Sequence, residues 1–396
     1  MKKLEKSVPV IRFKGFSEAW EQRKLGEDVN FLNGRAYSQK ELLDKGKYKV
    51  LRVGNFNTND RWYYSDLELE ENKYANRGDL LYLWATNFGP EIWNQEKVIY
   101  HYHIWKLKIM NINVSKQYLY TWLITDKERI KQCTNGTTMV HVTKGHIEQR
   151  EFQIPPNLTE QQKIGTFFKQ LDDTIALHQR KLDTLKLMKK GLLQQMFPKR
   201  GENIPKIRFD DFDDIWEQRI LGEFLKESKI KGSNGSLAKK LTVKLWRKGV
   251  VPKEEIYTGS SATQYYIRKT GQFIYGKLDF LNQAFGIIPL ELDGYESTLD
   301  SPAFDIEESI NETFLLEYVS LARFYKYQGN IANGSRRAKR IHTDTFFEMP
   351  IPLPNSNEQQ KIGTFSRQID DLIALQQNKL EKLSSLKRFY LKNMFI

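Results

Sequence analysis

The chain has 396 residues, more than a single core usually serves, so two or more domains are expected. Lysine and arginine number 62 against 49 acidic residues, a formal net charge of +13, and a surplus of that kind favours a polyanionic partner, nucleic acid above all. The one cysteine, Cys133, excludes an internal disulfide and a multi-cysteine zinc site and points to a reducing cytoplasm; the first residues hold no apolar stretch of signal-peptide length, and no segment reaches the roughly 20 apolar residues of a membrane span.

Residues 1–27 form an opening segment, PVIRFKGFSEAWEQRKLGE over 9–27. The spacing of Ile11, Phe13, Phe16 and Trp20 predicts a turn-rich piece packed on something larger. Residues 28–156 predict an α+β domain of ordinary size. Within it 48–56 (YKVLRVGNF), 78–84 (GDLLYLW) and 97–109 (KVIYHYHIWKLKI) are β-branched and aromatic, bounded by Gly, Asn and Asp, and read as strands. A helix over 116–133 runs into Asn135-Gly136. Pro155 and Pro156 stop the domain, and Thr159 is expected to cap a long helix within 157–197 that begins EQQKIGTFFKQLDDTIALHQRKL at Glu160.

The same order then recurs. Residues 198–223 repeat the opening segment (PKIRFDDFDDIWEQRILGE over 205–223), and 224–354 predict a second α+β domain. Its expected strands are 241–246, 271–275 and 285–290. Its helix is 312–327, followed by Asn333-Gly334. Pro350, Pro352 and Pro354 give a stiff lead-in to a second long helix in 355–396, starting at Asn357, with EQQKIGTFSRQIDDLIALQQNKL from Glu358. The chain is therefore two copies of one unit. A duplicated frame with unlike inserts suggests two separate acts of recognition.

Both long helices carry an apolar seam in alternating steps of four and three, the rhythm of a coiled coil. In the first it includes Ile164, Phe168, Leu171, Ile175, Leu182, Leu185 and Leu192; in the second Ile362, Ile369, Ile373, Leu380, Leu383 and Tyr390. Polar residues interrupt it at matching places, His178 with Gln376 and Lys189 with Lys387. Each helix spans on the order of 50 Å. Antiparallel pairing relates the units by an approximate twofold axis with one domain at each end, suited to half-sites roughly 34–36 Å apart on DNA. Parallel pairing would put both domains at one end, and the seam alone leaves that open.

Phosphates are met by Lys, Arg and backbone amides, and base edges by Arg, Asn, Gln, Ser and Thr. Candidate contacts in the first domain are Arg52, Asn55, Asn57 and Arg61 at a strand end, Thr86 and Asn87 after the next strand, and Asn135, Thr137, Thr138, His141 and Lys144 in the Asn-Gly loop. In the second they are Lys229, Lys231, Ser233, Asn234 and Lys239, then Asn333, Ser335, Arg336, Arg337, Lys339 and Arg340. Any one of these taken singly also fits a solvated loop residue.

The two opening segments, the two EQQKIG helices behind Pro-rich runs and the domains between them resemble the specificity subunit of a Type I restriction–modification system, over nearly the whole chain. That resemblance implies two target recognition domains separated by a pair of long antiparallel coiled-coil helices with internal pseudo-twofold symmetry. It implies a bipartite, asymmetric DNA target with one domain per half-site, and no catalysis by this chain. It also implies two modification subunits that methylate adenine with S-adenosylmethionine, docked on off-seam apolar residues such as Phe167, Leu177, Leu187 and Leu193. Restriction subunits using ATP and Mg would complete the assembly.

A self-sufficient DNA enzyme is the main competing class. An adenine methyltransferase needs an Asn-Pro-Pro-aromatic stretch to hold the flipped base, and Ile154-Pro155-Pro156-Asn157 has the wrong order. There is no GxxxxGK[ST] phosphate loop. Asp66, Glu71 and Lys73 have a spacing common by chance, short of the clustered carboxylates of a metal nuclease. The remaining alternative, a coiled-coil protein scaffold without sequence-specific DNA binding, accounts for the helices but not for two basic, loop-rich domains.

Overall fold

The computed structural model describes residues 8–56, 59–85, 88–133, 142–254, 259–330 and 340–395. Its frame rests on helices α1 (Lys116–Cys133), α2 (Leu158–Met196), α3 (Glu312–Val319) and α4 (Ser356–Asn393). The chain divides into two compact units, Met1–Gln179 with Asn378–Ile396, and Arg180–Gln377. Each unit thus owns one end of α2 and the opposite end of α4. No helix among the described residues is long and apolar enough to cross a membrane.

In the first unit a four-stranded antiparallel sheet runs in the order Val29–Asn33, Ile104–Ile109, Leu80–Leu83, Gly89–Ile92. A second sheet joins Tyr63–Ser65, Tyr48–Leu51, Val98–Tyr100 and Tyr74–Ala75. The segment expected as one strand over 97–109 is two strands, one in each sheet, split by a turn at 101–103. Helix α1 packs Tyr118, Leu119, Trp122 and Leu123 into a core with Phe31, Tyr82, Phe152, Ile164 and Phe168.

The repeated motifs explain themselves here by contact. Glu160 is fully buried and accepts from Arg12 Nε at 2.6 Å and Nη2 at 2.8 Å. A buried carboxylate requires such a partner, and a two-pronged guanidinium is the best match in shape. Gln161 holds the start of α1, accepting from Ser115 N (2.8 Å) and donating to Asn113 O (2.9 Å). Gly165 lets α1 approach, since a Cβ there would lie 2.7 Å from Gln117 Cβ. The opening segment is not only turns: Glu21–Lys24 pairs antiparallel with Glu151–Ile154. From the far end of α4, Met394 and Phe395 close the same core, Phe395 standing 5.6 Å from the Tyr118 ring and 5.9 Å from Phe168.

The second unit repeats the plan. Its four-stranded sheet runs Leu225–Ser228, Ala303–Ile306, Phe273–Tyr275, Phe285–Ile287. Arg208 grips buried Glu358 at 2.7 and 2.8 Å, Gln359 accepts from Asn311 N at 2.9 Å, and Met196 and Phe197 pack with Trp216 and Phe314. Two expectations change. The helix over 312–327 is broken into Glu312–Val319 and Ala322–Gly329, with Ser320 Oγ bonded back to Leu316 O at the break. Pro350–Leu353 is a strand rather than a bare lead-in, paired with Glu217–Ile220; its prolines alternate, which suits the non-hydrogen-bonded positions of a two-stranded ladder. The helix caps also move by a turn's edge. Asn157 Oδ1 accepts from Thr159 N, and Asn355 Oδ1 from Glu358 N, so Asn157 and Asn355 cap the long helices in place of Thr159 and Asn357.

Inside each unit the helix ends run antiparallel. In the first, Phe167 meets Tyr390 (5.0 Å) and Asp172 meets Lys387 (2.5 Å). In the second, Lys189 meets Asp370 (2.6 Å) and Leu192 lies in one core with Ile362. The two lysines that interrupt the seam are therefore matched ion pairs across it. Ile164, Phe168, Leu171, Leu182 and Ile362 are buried, and Ile175, Leu185, Ile369, Ile373, Leu380, Leu383 and Tyr390 are half-buried.

Candidate nucleic-acid interface

In the first unit several strand ends meet around the turn 101–103. His101 N donates to Leu51 O (2.9 Å), Arg35 N to Tyr100 O (3.0 Å) and Tyr102 N to Arg35 O (3.0 Å). On the other side Trp84 N donates to His103 O (3.2 Å), and the Trp84 indole N–H to Tyr102 O (2.8 Å). Val142, where the chain is again described after the Asn-Gly loop, donates to Trp84 O at 3.2 Å. The result is one surface bearing Trp84, His101, Tyr102 and His103, with Trp84 4.9 Å from the His103 ring. Burial, then the charges of His103 and Arg52, hold the His101 imidazole down at about 4, so it is neutral at physiological pH. Beside it Arg52 and Arg61 both lie over the Tyr63 ring, at 4.8 and 4.9 Å. Arg61 also reaches the Asp44 carboxylate, at 3.4 Å.

The structure thus brings the sequence candidates Arg52 and Arg61 together at Tyr63, beside a surface of Trp84, His101, Tyr102 and His103 that the sequence reading did not single out; the Arg35 guanidinium turns instead to Glu41, at 2.6 Å. Asn55 plays a different part. Its amide accepts from Arg52 N and donates to Asn59 O and Arg61 O, so it shapes the loop that carries both arginines. Lys144 sits on a short helix, 3.7 Å from Glu148. Asn57, Thr86, Asn87, Asn135, Thr137, Thr138 and His141 lie outside the described residues.

In the second unit the matching strand, Phe273–Tyr275, leads to Lys277. Lys277 N donates to Asp300 O (2.8 Å), and Ile341 N donates to Lys277 O (3.1 Å), the bond that Val142 makes to Trp84. Both strands begin after a glycine of positive φ, Gly78 and Gly271, and the count from each glycine to Trp84 or Lys277 is the same. Lys277 and Trp84 are therefore equivalent positions with unlike chemistry. Burial, together with Lys229 and Arg340, lowers the Lys277 ammonium from its ordinary value, against the pull of Glu227 and Asp300. Arg340 reaches Asp300 at 3.4 Å, and Lys229 reaches Glu227 at 2.8 Å.

Lys231 and Lys239 are exposed. Ser233 N and Glu296 N tie the two stretches together, donating to the Glu296 carboxylate (2.6 Å) and to Lys239 O (2.7 Å). Asn234 closes its own turn by accepting from Ser236 N and Oγ. Asn333, Ser335, Arg336, Arg337 and Lys339 lie outside the described residues.

The profile of the family described as "Type I restriction modification DNA specificity domain" matches residues 17–187 and again 214–385. The chain belongs to that family. As a specificity subunit it recognises and does not catalyse, and its two inserts are target recognition domains. The Type I restriction enzyme MjaVIII specificity subunit of Methanocaldococcus jannaschii is 24% identical over 392 residues, 94% of this chain and 91% of that one. The crystal structure of a Type I restriction–modification S subunit from M. genitalium superposes with a TM-score of 0.64 at 12% identity, covering 98% of this chain and 99% of that one. A chain from a study of complex assembly and conformational transition of the type I R-M system gives 0.55 at 14% identity, covering 94% and 96%. At such identities these structures speak for the fold.

Proposed function

We propose that the two target recognition domains read a bipartite, asymmetric DNA sequence, one half-site each, through the strand-end surfaces around Trp84 and around Lys277. The observation that carries this is one backbone position presenting an aromatic–histidine group in the first domain and a charged group, Lys277, Lys229 and Arg340 with Glu227 and Asp300, in the second. The first chemistry suits apolar contact with base edges, a thymine methyl among them; the second suits phosphate and guanine acceptors. A scaffold that bound only protein would leave both surfaces without a role.

The chain works with two modification subunits that use S-adenosylmethionine and with restriction subunits that use ATP and Mg, in the cytoplasm. Of the apolar residues expected to meet modification subunits, Phe167 packs against Phe13 and Tyr390 and Leu193 is buried. Leu177 and Leu187 are exposed, as are Leu386 and Phe389 in the first unit and Met188, Leu372 and Leu375 in the second. These exposed residues are the better docking candidates.

Selection from labelled random duplexes, with the chain alone and with its modification subunits, tests the reading. Two short unlike blocks around a constant gap are expected. Enrichment of nothing, or of one contiguous block, overturns it.

A further inference from the structure

One buried charge cluster in the second unit has no use in base recognition. Glu317 on α3 is 2% exposed. It accepts from Arg247 Nη1 (2.5 Å) and Nη2 (3.0 Å), from Lys189 Nζ on α2 (3.0 Å) and from Ser366 Oγ on α4 (2.6 Å). Separate stretches of chain thus converge on one carboxylate. Arg247 lies at the tip of a hairpin whose strands are Leu241–Val243 and Val250–Pro252. To aim its guanidinium the backbone adopts left-handed conformations at Trp246 (φ 59°) and Arg247 (φ 55°), and both amides donate to the loop ending in Gln283, also left-handed at φ 51°. These are the described non-glycine residues of positive φ, and all belong to this contact. Side chains rarely accept that conformation, and strain of this kind collects where geometry matters.

The first unit shows that charge is not needed here for packing. Counting from the backbone amides gripped by Gln161 and Gln359, Thr121 stands where Glu317 does. On the long helices Phe168 stands where Ser366 does. Thr121 and Phe168 are buried, and Thr121 bonds its own helix. A buried ion cluster in place of an apolar contact fixes geometry more than it adds stability. The other end of the 241–252 hairpin begins at Lys239 and Lys240, and Lys239 is tied through Glu296 to Ser233. The hairpin is therefore a strut from the candidate recognition loops to the long helices.

We propose that Arg247 is a positioning residue: its two-pronged bond to Glu317 fixes the second recognition domain on the ends of α2 and α4 and thereby sets the unread gap of the target. This rests on the split-target reading above. The test is selection from random duplexes with the full-length chain, its Arg247→Ala variant and its Arg247→Lys variant, which keeps the charge and loses the fork. The unsubstituted chain yields one gap length. Either folded variant is expected to accept neighbouring gap lengths at two-fold or smaller loss of enrichment, with the bases of both blocks unchanged. If Arg247→Ala fails to fold by thermal melting, Arg247→Lys decides alone. A folded variant that keeps the single gap overturns the proposal, as does one that changes the bases of the second block. Absence of any paired blocks with the unsubstituted chain removes the split-target reading itself and the proposal with it.

Discussion

The two units share the contacts that seat each domain on its long helix and diverge most at the strand ends. Arg12–Glu160 in one is Arg208–Glu358 in the other, and Gln161 and Gln359 grip the same helix start. Above that frame, Trp84 faces His103 in one domain, and Lys277 stands among Lys229, Arg340 and their carboxylate partners Glu227 and Asp300 in the other. The frame is demanding because its contacts are buried and charged, so residues there cannot drift independently. The strand ends are held by backbone hydrogen bonds, which tolerate any side chain. Recognition can therefore change while the frame stays put.

The frame comparison breaks most sharply at its buried ion pairs. Replacing Arg208 by Ala leaves Glu358 buried without its guanidinium and is expected to cost about 3–5 kcal/mol, read as a fall in denaturation midpoint. Arg12→Ala should cost as much in the first unit. The Glu358→Ala loss should exceed that of Glu160→Ala, because Trp216 Nε1 also donates to Glu358 (3.1 Å), whereas buried Trp20 Nε1 has no partner among the described residues. Equal losses would show that the indole bond adds nothing.

Acid separates the units next. Burial alone would raise the Glu317 carboxyl, but Arg247, Lys189 and Ser366 outweigh it and hold it at about 2, below an ordinary 4.5. A depressed carboxyl stabilises fully above its unfolded value and loses that contribution as pH falls through the folded one. The second unit is expected to lose on the order of 3 kcal/mol from this group between about pH 4.5 and 2. Glu317→Gln should abolish that part of the acid dependence. With Thr121 at the matching place, the first unit should lack it. Site-resolved hydrogen exchange distinguishes the units.

Close approach gives a smaller contrast. Gly165→Ala would press a Cβ against Gln117 Cβ (2.7 Å) and its backbone C (2.9 Å), at about 1–3 kcal/mol. Gly363→Ala meets chiefly the Asn311 side chain, at 2.6 Å from Oδ1, with Thr313 Cβ next at 3.3 Å. The Asn311 side chain can swing away, at the loss of its cap on Phe314 N, about 1 kcal/mol. Thermal melts of the two variants should rank in that order. At the strand ends, Lys277→Ala should lower the salt slope of DNA binding by about one, while Trp84→Ala should leave the slope and change base preference. Filter binding across a salt series reads both.

Much of this was legible in the sequence. The repeat, the long helices and the extent of α1 followed from pattern, because periodicity and duplication are local properties. The meaning of EQQKIG was not, since Glu160 and Arg12 meet only through folding. The break at Ser320 was hidden because a side chain bonding back to Leu316 O leaves no mark in propensity. The Pro350–Leu353 strand was hidden because two prolines argue against any ladder unless register places them at the bond-free positions. Arg52 and Arg61 were picked by residue type, but their meeting over the Tyr63 ring shows only in the fold. The equivalence of Trp84 and Lys277 was hidden because neither resembles the other; counting from Gly78 and Gly271 would have aligned them.

The independence of the two readers is tested most directly by duplex selection with Lys277→Trp beside the unsubstituted chain. The substitution is expected to change one block of the enriched sequence and leave the other block and the gap as they were. Change in both blocks, or in neither, would contradict a molecule in which each strand-end surface reads its own half of the target.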